Sequence, residues 1–140
     1  MIGAALPPRV ILTYGRFDMF CQDHIRFLRD VSRMGTELIV GCTTDAHAQQ
    51  NGADCEMSFD QRRALLESCR YVSRVIPETD IAQKRTDIVN YNVCALVMGT
   101  EHRGRLDTLQ DVAQVLYLPR RTPVAQTRID TRARKWKAIA

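Results

Sequence analysis

Cys21 and His24 stand three positions apart at the end of the stretch TYGRFDMFCQDH, residues 13 to 24. A thiol and an imidazole at that spacing share one face of a helix start. There a thiol can be acidified and become reactive. The pair is also half of a metal site, but no second Cys/His pair accompanies it, so no metal is expected. The plainer reading is a small side chain beside a packed imidazole. Asp23, a carboxylate in the same turn, suits the first turn of a helix.

These residues need a strand and a helix to hold them. Val10-Ile11-Leu12-Thr13-Tyr14 is short, β-rich and nearly continuous in apolar residues, as buried parallel strands are. Leu38 to Cys42, Val72 to Ile76, Ala95 to Met98 and Val115 to Leu118 complete a set of five, with Val72 to Ile76 the least buried. Between the first two, Ile25, Leu28, Val31 and Met34 recur every three residues and predict a helix, with Gly35 as a left-handed cap. Ser58-Phe59-Asp60-Gln61 is a capping box opening a second helix. Ile81 to Val89 predicts a third, Thr108 to Val112 a short one, and residues 46 to 57 a long loop or broken helix. Strand–helix alternation predicts an α/β, Rossmann-like three-layer domain with a mostly parallel sheet. Its ligand crevice lies at the carboxyl ends of the strands, among Tyr14 to Asp18, Cys42 to Asp45, Met98 to Arg103 and Pro119 to Arg121.

The chain has 140 residues, 45% hydrophobic, which suits one domain, residues 1–140, with one core. Residues 1–8 read as an extended arm around Pro7-Pro8, and residues 128–140 as a basic tail. No apolar run suits a membrane span or a signal peptide, so a cytoplasmic protein is expected. Five cysteines, unpaired in spacing, fit a reducing compartment, with thiols used mostly as small core residues. The net charge of +4 suits phosphate-bearing ligands or nucleic acid and selects neither. The tail reads as a solvated helix, and nucleic-acid binding is not expected. His47 and His102 suggest no role and default to the surface.

With strand, turn and helix placed, the opening stretch resembles the signature of the nucleotidyltransferase superfamily, in which a Gly-x-Phe-Asp turn precedes His-x-Gly-His at the helix start. The pattern is nearest to the glycerol-3-phosphate cytidylyltransferases. The likeness runs from Val10 to Ile129 through Thr43-Thr44-Asp45, Glu67 to Val72, Val75 to Glu78, Gln83 to Ile88, Val97-Met98-Gly99 and Val115 to Arg120. The resemblance implies a reaction that joins CTP to the phosphate of a small alcohol and releases pyrophosphate, with Mg²⁺ as cofactor and a homodimer as the assembly. It implies catalytic places for His24 and for Cys21, which stands where the motif has its first histidine. It implies nucleotide contacts from Gly15, Arg16, Phe17, Met98, Gly99, Arg120, Arg121 and Thr127, and acceptor contacts from Asp18, Arg62 and Lys84.

The same comparison implies departures. Cys21 offers a weak donor in place of an imidazole, and Asp23 replaces a glycine. Residues 50 to 54 carry no lysine where the family has them. In the second signature, Pro123 replaces a glycine and Ala125 a serine, and Ile81 stands at the place of a tryptophan near the acceptor. Arg16 and Arg121 are added cations, suited to bidentate phosphate contact. The expectation is therefore a cytidylyltransferase-like protein with impaired or silent catalysis. An active enzyme with a changed acceptor and a basic protein-interaction or polyanion-binding module remain as alternatives.

Overall fold

In β1 (Val10–Gly15), Val10, Leu12 and Tyr14 enter one apolar cluster while Ile11 enters another on the opposite face. Side chains alternate across a strand, so a strand covered on both faces must be apolar at nearly every position. The computed structural model describes residues 7–119. Within them, β1 pairs in parallel with β2 (Glu37–Thr43) on one side and β4 (Val93–Gly99) on the other. β3 (Arg74–Glu78) and β5 (Gln114–Leu118) form the edges, giving the order β3-β2-β1-β4-β5, all parallel. β1 lies opposite Leu38 through Ile11 and opposite Leu96 through Leu12. Since β1 leads to β2 on one side and β4 lies on the other, the strand order reverses at β1, where such sheets open a crevice.

The helices cover both faces. α1 (Gln22–Ser32) and α3 (Phe59–Ser68) bury Phe27, Leu28, Val31 and Leu66 against Ile11, Val40, Val75 and Val97. α4 (Gln83–Asn90) buries Ile88 against Leu12, Leu96 and Met98. α2 (Asp45–Gln50) is a single short helix after β2. A 3₁₀ turn, Asp107–Leu109, takes the place of the short helix expected at Thr108. The Ser58–Gln61 capping box is formed in both directions, at 3.2 and 3.1 Å.

Some boundaries differ from the sequence reading, for local reasons. In α1 the buried stripe is centred on Phe27, Leu28 and Val31, which leaves Ile25 40% exposed at its flank. Gly35 is not a left-handed cap, since α1 closes at Arg33 in right-handed geometry. Gly35 is instead a point of close approach, where a Cβ would collide with the Arg9 carbonyl. α4 starts at Gln83 because the Gln83 Oε1 accepts the amides of Thr79 and Asp80, at 2.6 and 3.1 Å, and so closes the preceding turn. β3 starts at Arg74, after Ser73 has exchanged two hydrogen bonds with Leu38, at 2.8 and 3.0 Å. All five cysteines are free, and only Cys42 is a core residue; Cys21 and Cys94 are exposed.

Gly41, in β2, faces the Tyr14 ring so closely that a Cβ would overlap its Cδ1 and Cε1. Gly41→Ala is therefore expected to destabilise the fold by about 1–3 kcal/mol through overpacking. Urea unfolding measures it, and a change within about 0.5 kcal/mol of zero, the range of neutral surface substitutions, would show that the ring can move aside.

Candidate active site

The carboxyl ends of β1, β2, β3 and β4 surround a cleft of about 1170 Å³. Tyr14, Gly15 and Arg16 come from β1 and its turn. Thr43, His47 and Asn51 come from β2 and α2, Glu78 and Lys84 from β3 and α4, and Met98 and Glu101 from β4 and the turn after it. Ile81, at the mouth, is 63% exposed. Arg105 adds a further cation.

The turn after β1 is tight. Phe17 and Met19 both adopt positive φ, 50° and 51°, which non-glycine residues rarely do. The Phe17 ring folds back over Gly15, where a Cβ would stand 2.9 Å from its Cε2. Asp18 holds this turn to the segment ahead of α3, accepting the amides of Met19, Glu56 and Met57 at 3.1, 2.8 and 3.0 Å. Partial burial pushes its carboxyl up, but those three amides outweigh it and hold Asp18 below the usual aspartate range. Asp18 does not line the cleft.

Cys21 is the N-cap of α1 and is exposed. Its amide donates to His24 Nδ1 at 3.2 Å, and its Sγ lies 3.8 Å from the same nitrogen. With Nδ1 accepting, the neutral ring carries its proton on Nε2. Phe20 stacks on the imidazole at 5.6 Å and Phe17 meets it edge-on at 5.5 Å. The structure thus brings Cys21 and His24 together at the head of α1, beside the cleft rather than in its wall.

Arg62 lies under the floor. It is fully buried and does not line the cleft. Its guanidinium donates to the carbonyls of Met57, Arg16 and Thr43 at 3.0, 2.8 and 2.7 Å, to Cys42 Sγ at 3.5 Å, and to Asp45 Oδ1 at 2.7 Å. Asp45 also caps α3 through the Phe59 amide at 3.1 Å. That amide, then Arg62, holds the Asp45 carboxyl low. Burial pushes the Cys42 thiol up to about 11, against the pull of Arg62.

Lys84 does line the cleft. Its ammonium pairs with Glu78 at 2.6 Å and stands 4.6 Å over the Tyr14 ring. Glu78 is steadied by the Thr43 hydroxyl at 2.7 Å. The Tyr14 hydroxyl donates to Asp87 at 2.6 Å, and Gln83 donates to the same oxygen at 2.8 Å. Burial first, and then the Asp87 carboxylate, push the Tyr14 phenol far above its ordinary value. Met98 is buried and accepts the Thr13 hydroxyl at 3.9 Å. The Glu101 carboxylate folds over Gly99, where a Cβ would collide with it.

Of the residues singled out from sequence, the cleft thus gathers Gly15, Arg16, Lys84 and Met98 in its wall. Phe17, Asp18, Cys21 and His24 build its border, and Arg62 lies beneath. Arg120, Arg121 and Thr127 lie outside the described residues. His47 overturns the surface expectation, being 6% exposed. Tyr14 stands in the wall as the crevice rule expects, while Glu78 was missed as a member of the site. The alternation rule places the strand ends at the crevice, and Glu78 ends β3, so that signal was present.

The family model described as cytidylyltransferase-like matches residues 12–131. The chain belongs to the cytidylyltransferase-like family. It is 37% identical to the glycerol-3-phosphate cytidylyltransferase of Bacillus subtilis (strain 168), over 85% of this chain and 92% of that one. It is 38% identical to the protein of the same name from Staphylococcus aureus, over 85% and 90% of the two chains. A solved structure with the same fold is the lipopolysaccharide core biosynthesis protein from Thermoplasma volcanium GSS1. It has a TM-score of 0.70 and 19% identity, and the match covers 83% of this chain and all of that one. No helix among the described residues of this cytidylyltransferase-like chain is long and apolar enough to cross a membrane.

Two predictions follow from the cleft's border and floor. Arg62→Met leaves the Met57, Arg16 and Thr43 carbonyls without their common donor, and is expected to destabilise by about 2–4 kcal/mol. Arg63→Ala, which breaks the surface pair with Glu67 at 3.1 Å, is expected to cost about 0–1 kcal/mol. Equal losses by denaturant titration would remove the buried guanidinium from its place in the fold. For Asp18, the folded carboxyl is below its ordinary value of 3.8, so its contribution is complete above that value and is lost as pH falls through the lower folded value. Asp18→Asn should flatten the acid limb of stability against pH below about 4. An unchanged slope would count against the three-amide staple.

Proposed function

We propose that this chain keeps the cytidylyltransferase crevice as a binding site for CTP and a phosphorylated small alcohol, and that phosphoryl transfer in it is slow or absent. The names of the relatives supply the substrate pair, a cytidylyl donor and glycerol 3-phosphate. In the reaction, an oxygen of the acceptor phosphate bonds to the α-phosphorus of CTP. The bond from that phosphorus to the bridging oxygen breaks, and pyrophosphate leaves with the electron pair. Catalysis then consists of holding two anions in line and stabilising the charge that grows on the phosphoryl oxygens.

The cations of the cleft suit the binding half of that task. Arg16 and Arg105 bring guanidinium groups to the wall. Lys84, held by Glu78 and by the Tyr14 face, presents an ammonium in a fixed place. His24, with its proton on Nε2, is a donor at the head of an 11-residue helix. Among the described residues, no group of three or more His, Cys, Asp or Glu is placed to hold a metal ion. Mg²⁺ is proposed to enter on the phosphates of CTP with its own waters.

The observation that carries the impaired reading is Cys21 at the N-cap of α1, a thiol side chain where the resemblance places an imidazole. One missing donor where charge develops costs about 10²–10³ in rate. A second reading, an active enzyme with a changed acceptor, draws on Ile81, 63% exposed at the mouth of the cleft, where an apolar side chain favours a less polar alcohol than glycerol. A cytoplasmic homodimer is the setting proposed for either reading.

The test is a thermal-shift titration with CTP and Mg²⁺, then pyrophosphate release with glycerol 3-phosphate beside the B. subtilis relative. Stabilisation by the nucleotide, with release at least about 10²-fold slower than the relative, is expected. The double variant Cys21→His, Asp23→Gly should raise that rate. Release by the wild type as fast as the relative's would overturn the impaired reading, and a preference for another phospho-alcohol would establish the second.

A further inference from the structure

His47 is the third residue of α2 and lines the cleft with only 6% of its surface exposed. Its backbone amide is fixed by Thr44 Oγ1 at 3.2 Å. Its Nε2 lies 3.4 Å from Asn51 Nδ2, a nitrogen that can only donate. Nε2 is therefore the acceptor, and the neutral ring carries its proton on Nδ1. That Nδ1–H is closed off and has no hydrogen-bond partner, the only buried side-chain nitrogen or oxygen in that condition among the described residues. Folded proteins leave few such groups, because each forfeits its hydration without replacement. A solitary case on the wall of a ligand cleft calls for a partner that arrives with the ligand.

We infer that His47, with Asn51 beside it, donates a hydrogen bond to a phosphate oxygen of the molecule bound in the cleft. The inference rests on the nucleotide and phospho-alcohol reading of that cleft. The wall offers the Asn51 amide here, rotation of the His47 ring adds the imidazole N–H, and the same cleft holds the cations Arg16, Lys84 and Arg105. An anionic oxygen is the acceptor that matches this set. The Asn51 contact is long against the usual ~2.9–3.0 Å, so the ring gives it up cheaply. The torsion about Cβ–Cγ is broad and two-fold. A half-turn carries Nδ1 from its closed side to the side now held by Cδ2, while the backbone of α2 stays where Thr44 holds it.

The experiment is calorimetric titration of wild type, His47→Phe and His47→Gln with three separate probes: CTP with Mg²⁺, inorganic tripolyphosphate, and glycerol 3-phosphate. His47→Phe keeps a flat ring and removes the donor. It should weaken at least one probe about tenfold, the effect of one hydrogen bond. His47→Gln, which retains a side-chain N–H, should recover part of the affinity. Affinities of His47→Phe equal to wild type for every probe would overturn the role of His47 while leaving the cleft reading intact. A wild type that binds none of the three would overturn both. If His47→Phe fails to fold, ¹⁵N-imidazole spectra of the wild type decide: the Nδ1 resonance must move on addition of the tightest probe, and a stationary resonance overturns the inference.

Discussion

A single buried cation ties together the pieces that make the crevice. The Arg62 guanidinium reaches the carbonyl that follows β1, the carbonyl that ends β2, and the carbonyl just ahead of α3, and it pairs with the first residue of α2. Each of those segments would otherwise end in carbonyls pointing into an apolar interior. One planar group with five N–H bonds satisfies them together, which lysine could not do. The geometry of the floor is therefore set by one side chain on a helix that contributes nothing to the wall.

Asp18 completes the arrangement from the outside. By holding Met19, Glu56 and Met57 it fixes a turn whose two positive-φ residues would be costly in a free loop. Floor and rim thus meet at one residue, since Arg62 takes the Met57 carbonyl while Asp18 takes the Met57 amide. The segment ahead of α3 is clamped through both backbone polar groups of Met57. On the proposed reading, in which the cleft positions two anions, such rigidity is a gain, because misplacement of reacting groups is expensive in rate.

The sheet, its parallel sense and the carboxyl-end crevice were legible from sequence, since β1, β2 and β4 are continuous apolar runs that only a sheet covered on both faces requires. The Ser58 capping box was legible too, because its signal is local. What was not legible depended on partners far along the chain. Arg62 and Arg63 are adjacent and chemically alike, yet one is buried at 0% exposure and the other pairs with Glu67 on the surface. Only the return of α3 beneath β2 and β3 separates them. Asp18, an acceptor contact by resemblance, is seen to be a staple only once the segment 38 and 39 residues later folds against it. His47 looked like a surface histidine because a six-residue helix has too little periodicity to mark an inward face.

β3 occupies one margin of the sheet and carries Pro77 opposite Cys42. Proline has no N–H, and in a bordering strand that missing donor falls on the side away from the neighbour already paired. The row of outward amides that would template a stray strand is broken there. One ring thus guards this edge of the sheet against pairing with a strand of another chain.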